Sequence, residues 1–267
     1  MNISADNRLY SIAAAQQDNA PNSIRVAASL AFSDMAIQPG DLVQVIHKDL
    51  CIGNVTIDIA AIVPWQSVLP AFSYRHNLQR LEQHTNIVRQ YIGRYGKGGG
   101  LRDLWFASDS DSVKGFFSSS LAERAHRLLA ALRTKDMDEA YRTGRSLIGL
   151  GGGLTPSGDD FCAALLTVIH MPGSPFGEQY RQLGQRLANA AAQQTTAISQ
   201  EMLITAACGQ SRQNVIVLLQ EITGPSPDAL ETASLKVLQM GSLSGTDWMV
   251  GLTAGLEVGK ELAEFGE

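Results

Sequence analysis

The spacing of the apolar residues changes near residue 70, and this change restricts the chain to a fold with two dissimilar parts. Before it, short β-prone runs such as Ser23–Leu30, Leu42–His47 and Gly53–Val63 are separated by turn residues. After it, apolar residues recur at intervals of three, four and seven, which is the spacing of one helix face. We therefore predict an α+β protein. A β-rich unit, a small barrel or sandwich, occupies residues 1–70, and a mostly helical domain occupies residues 71–267.

Composition excludes several classes of protein. Apolar residues make up 45% of the chain and charged residues 18%, which argues against intrinsic disorder. The formal net charge of −5 argues against nucleic-acid or membrane binding, because both partners require clustered positive charge. No apolar run reaches the roughly 18 residues of a membrane span, and the N-terminus has no secretory pattern. Three cysteines without CxxC spacing predict a reduced, cytoplasmic protein.

The stretch Gly149–Phe161, with the sequence GLGGGLTPSGDDF, is the strongest candidate for a functional site. Glycines let the backbone approach a ligand closely, and the stretch then opens an apolar helix whose N–H groups and dipole favour anions. It is neither a P-loop, because no Lys follows the glycines, nor the dinucleotide fingerprint. Its candidate substrate-binding residues are Gly151, Gly152, Gly153, Thr155, Gly158 and Asp159, and its candidate catalytic residues are Ser157 and Asp160.

Helix capping is the simpler explanation of the same residues. Ser157 or Asp159 could be the N-cap, with Asp160 complementing the helix dipole. Capping accounts for one acid and one hydroxyl, but not for four such side chains beside the four glycines at the start of the stretch. We therefore favour a site.

Two further segments carry similar chemistry. Ser244–Trp248 repeats the pattern Ser-Gly-x-Asp-aromatic before another helix, which adds Asp247 as a catalytic candidate and Ser244 and Gly245 as substrate-binding candidates. Two such helix starts could converge on one anion or could be independent caps, and the sequence leaves both open. Thr195, Thr196 and Ser199 precede a third helix; we include them as substrate-binding candidates, although a cap explains Thr196 better.

The motif GLGGGLTPSGDDF resembles that of the AllH-like family, in which the loop reads Gly-Leu-Gly-Pro-Gly-Leu-Thr-Pro-Ser-Gly-Asp-Asp. The resemblance implies a subunit of an oxamate carbamoyltransferase of anaerobic allantoin and purine breakdown. That enzyme would convert oxalurate and phosphate into oxamate and carbamoyl phosphate, with partner subunits resembling the FdrA family. Gly152 stands where the family has Pro, and Ser242-Leu243 and Thr246 depart from the expected second motif. If that region selects the substrate, the substrate differs from oxalurate.

Several alternatives remain open at this point. The chain could bind carbamoyl phosphate or a small carboxylate, act as a non-catalytic scaffold subunit, or be an ATP-dependent kinase or ligase. The sequence identifies no definite cofactor, although Asp159 or Asp160 could hold Mg²⁺ through carboxylate oxygens. Adjacent helical residues point about 100° apart, so only one of these two acids can face a small ligand. We expect Asp160 to face it, because Asp247 matches Asp160 in the second motif.

Overall fold

The computed structural model describes residues 1–27, 34–106 and 114–265 and divides the chain into two units, Met1–Ser67 and Val68–Glu267. The part of the predicted strand Ser23–Leu30 beyond residue 27 lies outside the described residues. The two units differ in secondary structure, and we describe each separately.

The first unit contains two three-stranded sheets, ordered β1-β2-β3 and β4-β5-β6. Strands β1 and β2 are antiparallel, β2 and β3 are parallel, and the second sheet is antiparallel throughout. The strands are Asn2–Ala5 (β1), Arg8–Ala14 (β2), Ser23–Val26 (β3), Val43–Ile46 (β4), Asp49–Ile52 (β5) and Val55–Asp58 (β6).

A small apolar core joins the two sheets. Its fully buried members are Ile12 of β2 and Leu50 and Ile52 of β5, and partly buried apolar residues from both sheets surround them. The β-rich start is therefore confirmed. Within its described residues, it consists of two sheets around one core and not of a closed barrel.

The second unit is helical, which confirms the α+β prediction. Nine α-helices lie within its described residues, and a short 3-10 turn at Leu101–Leu104 lies between the first two. The helices are Leu78–Tyr95 (α1), Lys114–Arg133 (α2), Met137–Leu147 (α3), Ser157–Ile169 (α4), Glu178–Ala191 (α5), Ala197–Ala207 (α6), Gln213–Thr223 (α7), Leu230–Leu238 (α8) and Ser244–Phe265 (α9).

Helices α4 and α9 form the centre of this unit. Every residue of α4 is buried, and α9 is buried continuously from Gly245 to Leu256, as expected of helices that are apolar on all sides. Gly251 of α9 lies directly against Ala164 and the backbone of Phe161, where a Cβ would not fit. The contact brings the starts of the two helices together. No described helix has the length and apolar character needed to cross a membrane.

Candidate functional site

The three segments selected from the sequence meet where α4 and α9 begin. The Thr155 and Ser244 hydroxyls are 2.7 Å apart and hydrogen-bonded, which ties the glycine loop to the second motif. The Trp248 indole N–H donates to Asp160 Oδ1 at 3.1 Å, and the Thr195 hydroxyl donates to Asp159 Oδ2. Side chains from all three segments therefore surround one place in the fold.

The two Ser-Gly-x-Asp motifs are built alike. Gly158 lies against the carbonyl of Leu147 at the end of α3, and Gly245 lies against the carbonyl of Val237 near the end of α8. A Cβ at either glycine would overlap that carbonyl, so each helix can begin there only with glycine at its second position. We conclude that both glycines position their motifs through packing.

The backbone N–H groups at both helix starts bind within the protein. Gly158 donates to the carbonyl of Leu150, and Asp159 donates to that of Pro156. Gly245 donates to Met240 O, and Thr246 donates to Leu243 O. The expected anion cradle of free N–H groups is therefore not found at these four positions.

The capping alternative for α4 is wrong in its details. The N-cap position is Pro156, which has no side-chain hydrogen-bonding group, and Ser157 is the first residue of the helix. Neither Ser157 nor Asp159 is the N-cap. The hydroxyls and carboxylates at this helix start therefore serve other contacts.

Asp159 holds two loops to the start of α4. Its Oδ1 accepts from the backbone N–H of Gly149 at 2.7 Å, and its Oδ2 accepts from the Thr195 hydroxyl. Burial raises the pKa of this carboxyl, while the hydrogen bonds from Thr195 and Gly149 and the Ser199 hydroxyl lower it. Both oxygens are thus occupied by protein donors, so Asp159 anchors the segments around it.

We expect the substitution Asp159→Asn to lower the free energy of unfolding by about 0.5–2 kcal/mol, because an amide offers one acceptor where two donors converge. Thermal melting would measure this as a drop of a few degrees. The change Thr195→Val removes one of the donors, so the two substitutions should be non-additive in a double-mutant cycle. Strictly additive effects, or an unchanged melting temperature for Asp159→Asn, would contradict the anchoring role.

Asp160 and Asp247 differ from Asp159 because each keeps an unused oxygen. Their residues are 1% and 0% exposed, and within the described part of the chain Oδ2 of each has no hydrogen-bond partner. Burial raises the pKa of Asp160 well above its ordinary value; the Ser244 hydroxyl and the Trp248 N–H lower it, and the charges of Asp247 and Asp159 raise it. Buried, unsatisfied carboxylate oxygens are costly, so this pair calls for a functional explanation.

The surroundings of Asp247 include residues that the sequence did not select. The backbone N–H of Leu101 donates to its Oδ1 at 2.6 Å, and Gly100 lies so close that a Cβ would overlap the carboxylate. Burial raises the pKa of Asp247 to about 6, while the Leu101 N–H and the Ser157 hydroxyl lower it and the Asp103 charge raises it. The glycine run at 98–100, which has the composition of a flexible hinge, thus leads into the site.

Stability should therefore depend on pH through Asp247. The folded pKa of about 6 lies above the ordinary 3.8, so the folded state binds the proton more tightly. The contribution of Asp247 to the free energy of unfolding is most favourable below about pH 4. It falls as the pH rises from about 4 to 6, and above about pH 6 it no longer changes. The loss is on the order of 3 kcal/mol at most.

Melting curves from pH 4 to 8 for the wild type and for Asp247→Asn measure this effect. The difference in free energy of unfolding between the wild type and Asp247→Asn should change between about pH 4 and pH 6. Asp138→Asn alters an exposed acid and should follow the wild-type profile. Parallel profiles for wild type and Asp247→Asn would show that this carboxyl does not titrate abnormally.

The chain matches the models of a known protein family. Residues 147–256 match the model of oxamate carbamoyltransferase subunit AllH, and residues 1–63 match the AllH family N-terminal domain. The chain belongs to the AllH family. It is accordingly a subunit of a carbamoyltransferase, which implies partner subunits and small substrates. No solved structure matches it significantly.

The AllH match begins at the last residue of α3 and contains all three segments of the site. Within it, Thr196 is the N-cap of α6, and its hydroxyl accepts from Ser199 N at 3.1 Å, as the capping explanation predicted. The same hydroxyl donates to the carbonyl of Leu154 at 2.6 Å and so fixes the glycine loop.

The glycine loop itself is open in this AllH-family chain. Gly152 and Gly153 are exposed and have open space where a Cβ would lie, whereas Gly151 lies against Ser157. Leu154 is 69% exposed, which is unusual for a large apolar side chain. Gly151 and Gly153 have positive φ angles of 121° and 90°, so this backbone path requires glycine.

The described residues contain no group of three or more His, Cys, Asp or Glu side chains that could hold a metal ion. Asp159 has no unused oxygen, and Asp160 and Asp247 offer one each. Cys162 also contributes no nucleophile, because burial raises the pKa of its thiol and the nearby Asp159 adds to the shift. The side chains that meet at this place include carboxyls and hydroxyls, which are suited to proton transfer.

Proposed function

We propose that this subunit binds the small substrate of carbamoyl transfer at the starts of α4 and α9, with Asp160, Asp247 and Ser157 as its catalytic residues. One observation supports the proposal above the others. Two buried carboxylate oxygens without partners lie at equivalent positions of two similar motifs. A fold that leaves such atoms unsatisfied has a use for them, because each costs stability.

The reaction we propose is the conversion of oxalurate and phosphate into oxamate and carbamoyl phosphate, or its reverse. A phosphate oxygen attacks the ureido carbonyl carbon, a C–O bond forms, and the C–N bond to the oxamate nitrogen breaks. The proton lost by hydrogen phosphate is balanced by the proton gained at that nitrogen. The chemistry thus requires a proton donor at the leaving nitrogen and a donor to the oxyanion that develops on the carbonyl.

Asp160 is suited to be the proton donor. Burial raises the pKa of its carboxyl well above the ordinary value, which is the direction of shift that a general acid requires. Ser157 lies beside Asp247, and Ser244 lies beside Asp160, so each motif places a hydroxyl next to the acid of the other. Asp247, whose pKa is raised only to about 6, is ionised at neutral pH and is suited to accept a hydrogen bond from substrate.

The wider setting follows from the family. We propose that the partner subunits resemble the FdrA family and that the complex acts in the cytoplasm in anaerobic allantoin breakdown. The description of the family as an oxamate carbamoyltransferase subunit supports the reaction. The unusual residues Ser242, Leu243 and Thr246 adjoin Asp247, so they are the positions at which a substrate other than oxalurate would be selected.

Reconstitution with the partner subunits tests the proposal. Phosphate release from carbamoyl phosphate and oxamate should require this chain. In the same complex, hydrogen–deuterium exchange should slow in residues 149–160 and 244–247 when substrate is added. Exchange in residues 178–191, which form α5, serves as the internal reference.

Other outcomes identify the alternatives. If turnover requires this chain but substrate protects only the partner subunits, the chain is a scaffold. If Mg-ATP alone protects residues 149–160, while carbamoyl phosphate and oxamate do not, the chain is a kinase or ligase.

A further inference from the structure

The groups that converge between α4 and α9 are mainly hydrogen-bond acceptors. Asp160 and Asp247 each present an unpartnered Oδ2, and the neighbouring N–H groups of Gly158, Asp159, Gly245 and Thr246 are bound to backbone carbonyls. An acceptor-rich, buried place selects a ligand group that supplies N–H donors, because a ligand without donors leaves the oxygens unsatisfied.

The charges around this place oppose an anion. Asp247 and Asp159 both act on Asp160, and Asp103 acts on Asp247, so the charges that shift the pKa values of these two acids are those of carboxylates. A phosphate or carboxylate placed between the two Oδ2 atoms would face repulsion in surroundings of low dielectric constant. The charged part of any substrate must therefore lie elsewhere.

Burial raises the pKa of both acids, and the charges of Asp247 and Asp159 raise that of Asp160 further. A carboxylate oxygen only accepts hydrogen bonds, whereas a neutral carboxyl also donates one O–H bond. Two unpartnered carboxyl oxygens match the nitrogen of a primary amide, which offers two N–H donors.

We propose that Asp160 and Asp247 form a receptor for the H2N–C(=O)– group of the substrate, and that phosphate and carboxylate groups bind outside this pair. In the receptor, Oδ2 of Asp247 and Oδ2 of Asp160 each face an N–H of the amide nitrogen, which is the nitrogen that Asp160 protonates in the proposed transfer. The inference rests on the proposed function, because it assigns one substrate group to the same site.

The glycine loop is the exposed segment next to the receptor, and we propose it as the route of access. Both Oδ2 atoms are shielded from solvent, and the loop that begins at Gly151 ends with the Thr155–Ser244 hydrogen bond. Gly152 and Gly153 are exposed, and a Cβ at either would contact nothing within 4 Å, so this part of the loop is open to solvent. The carbonyl of Leu154, held by the Thr196 hydroxyl, fixes the far end.

Oxamate and oxalate make a matched pair of probes, because they differ only in an amide that replaces a carboxylate. Calorimetric titration of the full chain, alone and in the complete enzyme, compares oxamate, oxalate and inorganic phosphate at pH 7. We expect oxamate to bind at least about tenfold more tightly than oxalate, the factor that corresponds to one lost hydrogen bond of about 1.4 kcal/mol. This comparison uses the wild-type chain and does not depend on the folding of a variant.

Substitutions of Asp160 and Asp247 test whether these two residues cause the preference for oxamate. Asp160→Asn and Asp247→Asn should each reduce the preference for oxamate over oxalate to less than about threefold, and Asp247→Asn should bind oxalate more tightly than the wild type because a negative charge is removed. Asp138→Asn, which alters an exposed acid, should keep the wild-type preference. Circular dichroism melting curves confirm that each variant is folded.

The outcomes separate this inference from the proposed function. If oxalate or phosphate binds as tightly as oxamate, and Asp160→Asn or Asp247→Asn alters that binding, the site exists but the amide receptor is wrong. If none of the three probes binds the chain or the complete enzyme, the proposed substrate site itself is wrong. If Mg²⁺ alone stabilises the wild type and not Asp160→Asn, the unpartnered oxygens serve a cation and the inference is overturned.

Discussion

The substitution Asp160→Asn will lower carbamoyl transfer by the assembled enzyme at least about 100-fold, which is the usual contribution of a general acid. An Asn side chain keeps the shape of Asp, and its Oδ1 can still accept the Trp248 N–H, which donates to the wild-type carboxyl at 3.1 Å. Its amide cannot release a proton to a leaving nitrogen. Turnover is therefore lost although the surroundings are kept.

The same substitution should leave stability unchanged or increase it. Asp160 is fully buried with one oxygen unpartnered, so replacing it with a neutral group removes part of the cost of burying a carboxyl. Activity and stability would then move in opposite directions, as is common for residues retained for function. Steady-state kinetics and melting temperature, with Asp138→Asn as the control, measure both. Near-normal activity together with a lower melting temperature would show that the motif is structural.

Gly100→Ala should disable the site by displacing Asp247, the second of the two acids. A Cβ at this position would overlap the carboxylate of Asp247, and Asp247 is already held by the Leu101 N–H at 2.6 Å. Either the carboxylate or the backbone must move, which costs about 1–3 kcal/mol in a packed region. We expect a clear fall in melting temperature and loss of measurable turnover.

Gly98→Ala is the matched control for this substitution. It lies two residues away, and a Cβ there would contact nothing within 4 Å. It should keep wild-type stability and activity. If Gly100→Ala is as active and stable as Gly98→Ala, the close approach of this segment to Asp247 has no functional importance.

The helices could be predicted well because their apolar periodicity is strong. The spacing of the apolar residues predicts helices over Gln213–Ile222 and Asp247–Phe265, and the structure has Gln213–Thr223 and Ser244–Phe265. The second of these predictions began three residues late, because Ser244 and Gly245 read as loop residues. Glycine at the second helical position is instead required by the close carbonyl of Val237.

The strands were harder to predict because they are short. The β-prone runs of the sequence include neither Asn2–Ala5 nor Arg8–Ala14. In the structure these two strands form a hairpin, and Asp6 and Asn7 between them both have positive φ, as is typical of a two-residue turn. Gly53–Val63 was predicted as one alternating run, yet Gly53 belongs to the turn between β5 and β6. Runs of four residues give too little periodicity to separate strand from turn.

The candidate site was predicted as a set of motifs but not as a geometry. Local spacing identified the acids and hydroxyls, and it indicated that Asp159 and Asp160 point in different directions. It could not show that Leu101 binds Asp247, because these residues are 146 positions apart in sequence. Nor could it show that the N–H groups of Gly158 and Gly245 are used within the protein, since their acceptors depend on how the preceding helices end.

Ligand binding should be coupled to folding, because the residues that contact one another at the site are far apart in sequence. Thr155 and Ser244 are 89 positions apart, and Asp159 and Thr195 are 36 apart, so the binding site exists only when distant parts of the helical unit have folded together. A ligand that binds only this assembled state stabilises it by about 2.7 kcal/mol at a hundredfold excess over its Kd. The stabilisation acts on the whole cooperative unit, because α4 and α9 form its centre. Substrate should therefore protect the subunit from proteolysis at cleavage sites far from Asp160, provided that they are exposed only by global unfolding.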